Sequence, residues 1–153
     1  MEQEEKIETK SALTDTVKLL FAKAGSIKKI ARKSIKEPYI IAADGQFLGV
    51  VSRKKKEKDS IFNEYGMYGS EYSGLSIFND SGTYGSQDSL YSPFNELTST
   101  PPKLMYKSRS VGFLTKNKQI TGCIDPDELF EIVKSQKRIN WKSLLKNWEV
   151  TVR

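Results

Sequence analysis

The sequence predicts an α+β fold. Two β-hairpins form a small antiparallel sheet, a three-unit, 16-residue loop repeat rich in aromatic, Gly and Ser residues lies between them, and helices lie at both ends. Three observations support this prediction: paired apolar runs that flank short polar turns, a self-similar segment between the pairs, and apolar residues at helical spacing near both termini. A chain of 153 residues is long enough to bury one core.

Two segments are predicted to form the hairpins. The first, residues 39–52, places Asp44 and Gly45 between two apolar runs, and Asp-Gly in that position is a strong turn signal. The second, residues 103–115, has two apolar runs around a short polar stretch. We expect the hairpins to pair into one sheet, with the repeat as a long excursion between them.

The segment between the hairpins repeats at a period of 16 residues. Residues 60–63, 76–79 and 92–95 open three units with serine, phenylalanine and asparagine at the same offsets. The first two units also share Gly66 and Gly82, Tyr68 and Tyr84, Gly69 and Gly85, Ser70 and Ser86, and Ser73 and Ser89. Frequent Gly, Ser and Asn indicate turns rather than a helix. We therefore predict ordered loops whose phenylalanines enter a core at regular intervals.

The repeat is also the leading candidate for a binding surface. Eight of the fourteen Phe and Tyr residues lie within residues 60–95. Tyr, Ser, Gly and Asn are the residue types that dominate adaptable binding loops. A second interpretation, equally open, is that the aromatic side chains hold the loops on the sheet. The candidate partner-binding residues are Tyr65, Tyr68, Tyr72, Tyr84 and Tyr91.

The chain resembles a family of small, uncharacterised bacterial proteins in its tandem SIFNxxGxYGSxxS units, followed by SPFN, PP, VGFLTKNK and IDPDELF. The resemblance covers residues 39–133. It implies a bacterial or mobile-element origin and one compact repeat-bearing module, and it allows a role as inhibitor or immunity partner in bacterial or phage conflict. It implies no ligand and no site residues. The segments before Pro38 and after Lys137, and the basic run at residues 53–58, depart from the family pattern.

A helix is predicted to begin at Pro126. Asp125 precedes it as an N-cap, proline suits the first helical position, and Asp127 and Glu128 face the positive end of the helix dipole. Paired carboxylates can also bind metal or transfer protons, but their place in a first helical turn favours capping. We therefore assign them no catalytic role.

The predicted elements divide the chain into three parts. Residues 1–37 comprise an acidic lead and, over residues 12–35, a basic amphipathic helix that ends before Pro38. Residues 38–137 form the repeat-bearing α+β domain. Residues 138–153 form a C-terminal amphipathic helix and a short strand, both packed on the domain. The apolar stripe of this helix is Trp141, Leu144, Leu145 and Trp148, and the strand is residues 150–153.

The net charge of +6 is divided unevenly along the chain. Residues 16–58 carry +9, residues 59–95 carry −5 without a Lys or Arg, and residues 96–153 carry +5. A basic arm of this kind suits a phosphate backbone, so a nucleic-acid-binding accessory protein is the alternative function. A solvated docking helix and an interfacial membrane helix are two further interpretations of the arm. The candidate phosphate-binding residues are Lys28, Lys29, Arg32, Lys33, Arg53, Lys54, Lys55 and Lys56.

The absence of histidine and the single cysteine, Cys123, exclude several kinds of site from this chain. Ser-His-Asp triads, Cys-His nucleophiles, His-ligated zinc, Cys-rich clusters and intrachain disulfides all need residues that are missing. We predict no cofactor, no metal site and no catalytic residue, and an enzyme is the least favoured class. The leading hypothesis is a non-catalytic interaction module that binds a protein partner.

The compartment is predicted from the lack of targeting signals. The first residues are acidic and lack the basic and apolar regions of a secretory signal, and no apolar run approaches ~18 residues. A cytoplasmic protein without a transmembrane segment is therefore expected. The sequence predicts no particular oligomeric state.

Overall fold

The computed structural model describes residues 36–152, with side chains in the last helix described as far as Trp148. The predicted N-terminal helix, and with it Lys28, Lys29, Arg32 and Lys33, lies outside the described residues.

Within residues 36–152, five short strands form one sheet. Their bounds are Tyr39–Ile41 (β1), Phe47–Val50 (β2), Lys103–Tyr106 (β3), Arg109–Leu114 (β4) and Cys123–Ile124 (β5). The strand order is β2-β1-β3-β4-β5, with β5 parallel to β4 and the other neighbouring pairs antiparallel. Both predicted hairpins are present, and because β1 pairs with β3 they share one sheet, as expected.

The strands and the two helices both contribute to the core. Ile40 lies opposite Leu104 in the β1–β3 pair, and both side chains are fully buried. The same hydrophobic cluster takes in Leu48 from β2, Leu114 from β4 and Ile124 from β5. Apolar runs on both arms of each hairpin are therefore explained by burial on the sheet.

The sequence did not predict β5. The strand is formed by backbone hydrogen bonds to β4: the Phe113 N–H donates to the Gly122 carbonyl at 2.8 Å, and the Thr115 N–H donates to the Ile124 carbonyl at 3.0 Å. A strand of two residues is too short to show an alternating pattern, so a sequence signal for it is absent.

Helix α1, Pro126–Ser135, begins as predicted. The Asp125 Oδ1 accepts a hydrogen bond from the Asp127 N–H at 2.8 Å, and proline occupies the start of the helix. Lys118 contributes a second hydrogen bond, 3.1 Å from its Nζ to the Asp125 Oδ2. The buried face of α1 consists of Pro126, Leu129, Phe130 and Val133.

Helix α2, Trp141–Val152, begins where the Asn140 Oδ1 accepts the Ser143 N–H at 3.1 Å. Trp141 and Leu145 are buried in the core. The helix continues to Val152, so the short strand predicted over residues 150–153 is wrong. Once a helix has formed, each residue added to its end gains one hydrogen bond for the backbone freedom that it loses. A β-branched residue is less favourable than alanine in a helix by only about 0.5 kcal/mol. Valine and threonine at this end therefore do not stop it.

The chain between β2 and β3 is a succession of turns, which we name the turn segment (residues 57–100). In most steps an N–H donates to the carbonyl three residues earlier, as in the Asn63-to-Ser60 bond at 3.1 Å. One longer step occurs in each of the first two units, where the N–H of Ser70 or Ser86 donates to the carbonyl of Gly66 or Gly82, both at 3.0 Å.

Two glycines of the turn segment occupy positions with no room for a side chain. A Cβ on Gly69 would lie 2.0 Å from the Asn63 carbonyl oxygen, and a Cβ on Gly85 would lie 2.1 Å from the Asn79 carbonyl oxygen. Both clashes involve backbone atoms. A Cβ on Gly74, in contrast, meets nothing within 4 Å.

We expect Gly69→Ala to lower the free energy of unfolding by about 2 kcal/mol or more, since the backbone around Asn63 must move to admit the methyl group. Gly74→Ala is the matched control, and it should change stability by less than about 1 kcal/mol, in the stabilising direction. Urea unfolding followed by circular dichroism measures both. Equal effects of the two substitutions would show that the close backbone approach at Gly69 is absent.

The N-cap of α1 should make stability depend on pH. Burial raises the pKa of the Asp125 carboxyl, but the hydrogen bonds from Lys118 and from the Asp127 N–H outweigh burial, and the pKa is lowered overall. The stabilisation is therefore present above the unfolded-state pKa of about 3.9 and is lost as the pH falls through the lower folded-state value.

Asp125→Asn keeps a capping oxygen and removes the charge, so its stability deficit relative to the wild type should be largest near neutral pH and should vanish below about pH 3. Asp125→Ala also removes the cap and should cost about 1 kcal/mol more. Urea unfolding at a series of pH values measures both deficits. An Asp125→Asn deficit that is constant with pH contradicts the lowered pKa.

Candidate functional site

Serine and asparagine side chains hold the turn segment by bonding to its own backbone. The Oγ of Ser60, Ser76 and Ser92 accepts the N–H of the phenylalanine two residues later, at 3.0, 3.1 and 3.1 Å. All three serines are fully buried. Side-chain acceptors of this kind satisfy amides that would otherwise be unpaired in a turn.

The asparagines make two bonds each. The Oδ1 of Asn63, Asn79 and Asn95 accepts the N–H two residues later, at 3.1, 3.1 and 2.9 Å. The Nδ2 of the same residues donates to the carbonyl six residues earlier, at 3.1, 3.0 and 3.0 Å. Equivalent bonds therefore recur at the 16-residue spacing of the sequence units.

The three phenylalanines of the units lie in a row, and two of them contact helix α1. The ring centroids of Phe62 and Phe78 are 6.2 Å apart, and those of Phe78 and Phe94 are 6.5 Å apart. Phe130 of α1 contacts two of them, at 5.6 Å from Phe62 and 5.5 Å from Phe78. The row fixes the turn segment beside α1.

The five candidate tyrosines fall into two groups. Tyr84 is only 9% exposed, and its hydroxyl donates to the Asp44 Oδ2 at 2.7 Å. Tyr91 lies 6.2 Å from Tyr84, and Tyr68 packs edge-on against Phe47 at 5.0 Å. These three tyrosines pack on the domain.

Tyr65 and Tyr72 form the second group, because they are 97% and 85% exposed. Both lie in the first unit. The equivalent positions of the second unit are Ser81 and Asp88. The hydrogen bonds of the two units are alike, so the aromatic side chains at these positions are not required by the turns.

Tyr65 and Tyr72 line a groove of about 940 Å³ between the turn segment and α1, which we name the aromatic groove. Its apolar lining comes from the start of the turn segment and from α1. Its rim carries charges of both signs. The lining residues are Arg53, Lys55, Ile61, Phe62, Glu64, Tyr65, Gly69, Glu71, Tyr72, Phe78, Val133 and Lys134.

The charges of the aromatic groove do not pair with one another. Among residues 36–152 the ion pairs are Lys116–Asp127 and Lys118–Asp125, both near the start of α1. Lys134 instead places its Nζ 5.6 Å from the centre of the Phe62 ring. Glu71 interacts with the Tyr72 hydroxyl, whose pKa it raises. The charges that line the groove are therefore not used up in ion pairs among the described residues.

Sequence reasoning missed Lys134, Glu64 and Glu71 as site residues. Lys134 is distant in sequence from the turn segment and reaches the groove because α1 packs on the phenylalanine row. Glu64 and Glu71 were read only as part of the acidic charge of the repeat. No local signal joins the three residues, since their proximity follows from tertiary packing.

The structure places Arg53, Lys54, Lys55 and Lys56 on the surface just after β2. The Arg53 Nη1 donates to the Gln136 carbonyl at 3.0 Å, which joins the run to the end of α1. A smaller groove of about 460 Å³ is found there. Its lining residues are Lys36, Glu37, Val51, Arg53, Lys54, Gln136, Lys137, Ile139 and Trp141.

The described part of the chain contains neither a metal-binding cluster nor a membrane-spanning helix. No three His, Cys, Asp or Glu residues within 36–152 are grouped so that they could hold a metal ion. Neither helix of these residues combines the length and the apolar character needed to cross a bilayer.

Comparison of the chain with known family models, curated proteins and solved structures finds no match. The resemblance to small bacterial repeat proteins therefore stays a prediction.

Tyr84 should be needed for stability. Burial and the hydrogen bond to Asp44 raise the pKa of its hydroxyl, as expected for a phenol that donates to a carboxylate. We expect Tyr84→Phe to lower the free energy of unfolding by about 1 kcal/mol, at the low end for a bond to a charged group because Asp44 is itself exposed. Tyr65→Phe is the matched control and should leave stability unchanged. Thermal unfolding of both variants measures the difference, and an unchanged Tyr84→Phe midpoint contradicts it.

Proposed function

We propose that this protein is a non-catalytic interaction module that binds a segment of a protein partner in the aromatic groove. One observation carries the proposal: Tyr65 and Tyr72 are almost fully exposed beside a groove of about 940 Å³ whose lining is partly apolar and partly polar. Exposed aromatic side chains next to a concave apolar surface are typical of interaction sites.

The two tyrosines are suited to anchor a partner. A tyrosine offers a large apolar area with few rotatable bonds, so burying it on binding costs little conformational entropy. Aromatic anchors of this kind commonly contribute about 2 kcal/mol or more at an interface, roughly a 30-fold change in the dissociation constant. Two anchors beside one groove support a specific interaction.

The charges of the groove favour a polypeptide over a nucleic acid at this position. Arg53, Lys55 and Lys134 provide positive charge, whereas Glu64 and Glu71 provide negative charge. A phosphate backbone would be repelled by the two carboxylates. A polypeptide can present an acidic side chain to one set and a basic side chain to the other.

We further propose that the turn segment is a three-unit repeat that serves as a scaffold. Its serines, asparagines and phenylalanines make the internal bonds and ring contacts, so these positions are fixed by the fold. Exposed positions differ between units, as at Tyr65 and Ser81 or at Tyr72 and Asp88. Binding specificity on such a scaffold is set by the exposed positions alone.

The setting in which the module acts is part of the proposal. A cytoplasmic location follows from the sequence expectation, and the resemblance to bacterial proteins supports a role as inhibitor or immunity partner in bacterial or phage conflict. The aromatic groove supports binding in any such role, because its exposed tyrosines can contact a partner directly, without a cofactor or metal ion.

The unit comparison supplies a conservative test. The double variant Tyr65→Ser, Tyr72→Asp gives the first unit the residues that the second unit already carries at these positions. The variant should therefore fold as well as the wild type. Capture of proteins from an extract of the source cells, followed by affinity measurement with the purified partner, should show a loss of about 30-fold or more.

Leu97→Ser is the matched control. Leu97 is exposed, occupies the position of Tyr65 in the third unit, and is not a lining residue of the groove. It should bind the same partner as the wild type does. If the tyrosine variant retains full affinity while its circular dichroism spectrum is unchanged, the groove is not the binding site.

A further inference from the structure

A second charged surface lies where β1 begins and β2 ends. The two strands are antiparallel, so these ends meet, and the Val51 N–H donates to the Pro38 carbonyl at 2.8 Å. Lys36 comes just before this point in the chain, and Arg53 and Lys54 come just after it. Two parts of the chain that are separate in sequence therefore bring positive charge to one place.

Helix α1 adds to this surface at its C-terminal end. The Arg53 Nη1 donates to the Gln136 carbonyl at 3.0 Å, and the next residue, Lys137, lines the same groove of about 460 Å³ as Lys36 and Lys54. Lys55 and Lys56 continue the run and are exposed. We name as the basic surface the residues Lys36, Arg53, Lys54, Lys55, Lys56 and Lys137.

Two carboxylates, Glu37 and Glu57, lie close to the basic surface, and neither forms an ion pair with one of its cations. The Glu57 Oε2 accepts the Ser52 Oγ–H at 2.8 Å. Burial raises the pKa of Glu37, with a further contribution from the charge of Glu57, and the nearby Ser52 and Lys54 oppose this shift. Within residues 36–152, no cation of the surface has a carboxylate oxygen within ion-pair distance.

We propose that the basic surface binds phosphate groups of a nucleic-acid backbone. Four cations from three parts of the chain, Lys36, Arg53, Lys54 and Lys137, line a concave site, and the exposed Lys55 and Lys56 follow Lys54 directly in the chain. All six are free of ion pairs with the described carboxylates, an arrangement that lets them contact successive phosphates.

A nucleic acid explains the surface better than an anionic membrane does. Peripheral membrane binding needs apolar side chains that protrude beside the cations. The large exposed apolar residues of the described chain are Tyr65, Met67, Tyr72, Leu90 and Leu97, all in the turn segment, and none of them lines the groove that holds Lys36, Lys54 and Lys137. That segment carries negative charge, which an anionic membrane repels.

Arg53 and Lys55 belong to both the basic surface and the aromatic groove, whereas Lys36, Lys54, Lys56 and Lys137 do not line that groove, so substitutions at these lysines test the proposal separately from the partner site. If about four cations contact phosphates, affinity should fall on the order of 100-fold between about 50 and 200 mM salt. Fluorescence anisotropy with mixed-sequence single-stranded and duplex DNA, using the full chain, measures this dependence.

The triple variant Lys54→Gln, Lys56→Gln, Lys137→Gln tests where binding occurs. Affinity should fall by about tenfold or more, and the salt slope should decrease by about 1 for each lysine that contacts a phosphate. The control Lys103→Gln, Lys142→Gln, Lys146→Gln removes the same charge from exposed sites on β3 and α2. It should stay within about twofold of the wild type.

Two results would overturn the proposal. Equal losses in the two triple variants would show that binding follows net charge rather than this surface. Binding to vesicles that contain phosphatidylglycerol, without binding to either DNA, would assign the surface to a membrane. In each case the circular dichroism spectra of the variants must match that of the wild type. Neither outcome changes what the double variant Tyr65→Ser, Tyr72→Asp shows about partner binding in the aromatic groove.

Discussion

The architecture depends on one kind of interaction, the bond between a short polar side chain and the backbone two residues later. Ser60, Ser76 and Ser92 make it with their hydroxyls, and the asparagines of the units make it with their amide oxygens. Without the serine acceptors, the partly buried amides of Phe62, Phe78 and Phe94 would be unpaired. Because the backbone amides of the turn segment find acceptors in neighbouring residues, the segment can cross the domain without a helix or a regular strand.

Packing converts this local order into a defined surface. The Phe62 and Phe78 rings lie against Phe130 of α1, Phe94 lies beside Phe78, and the Tyr84 hydroxyl donates to Asp44 in the first hairpin. The segment is thus fixed on one side by the helix and on another by the sheet. The exposed positions between these contacts differ in residue type from unit to unit. The aromatic groove is lined by two of them, Tyr65 and Tyr72. The basic surface has a different origin, in the meeting of strand ends with the end of α1.

Much of the fold could be predicted from the sequence, because its signals are local. Asp44-Gly45 marks a hairpin, and Asp125-Pro126 marks a helix start. The failures are equally physical: β5 is too short to carry a pattern, and the C-terminal strand was inferred from β-branched residues at the end of a helix that continues. For the site, the tyrosines could be named, but which of them are exposed depends on packing. Lys134, Glu64 and Glu71 were missed because only the tertiary structure brings them together.

Amide hydrogen exchange in the turn segment tests the central claim most directly. Amides of Phe78, Asn79 and Gly82 lie outside any regular helix or strand, yet each donates to a named acceptor. If side-chain acceptors and the phenylalanine row hold the turns, these amides should exchange almost as slowly as those of the central strands β1 and β3. Exchange at the rate of an unstructured peptide, with β1 and β3 still protected, would contradict the account.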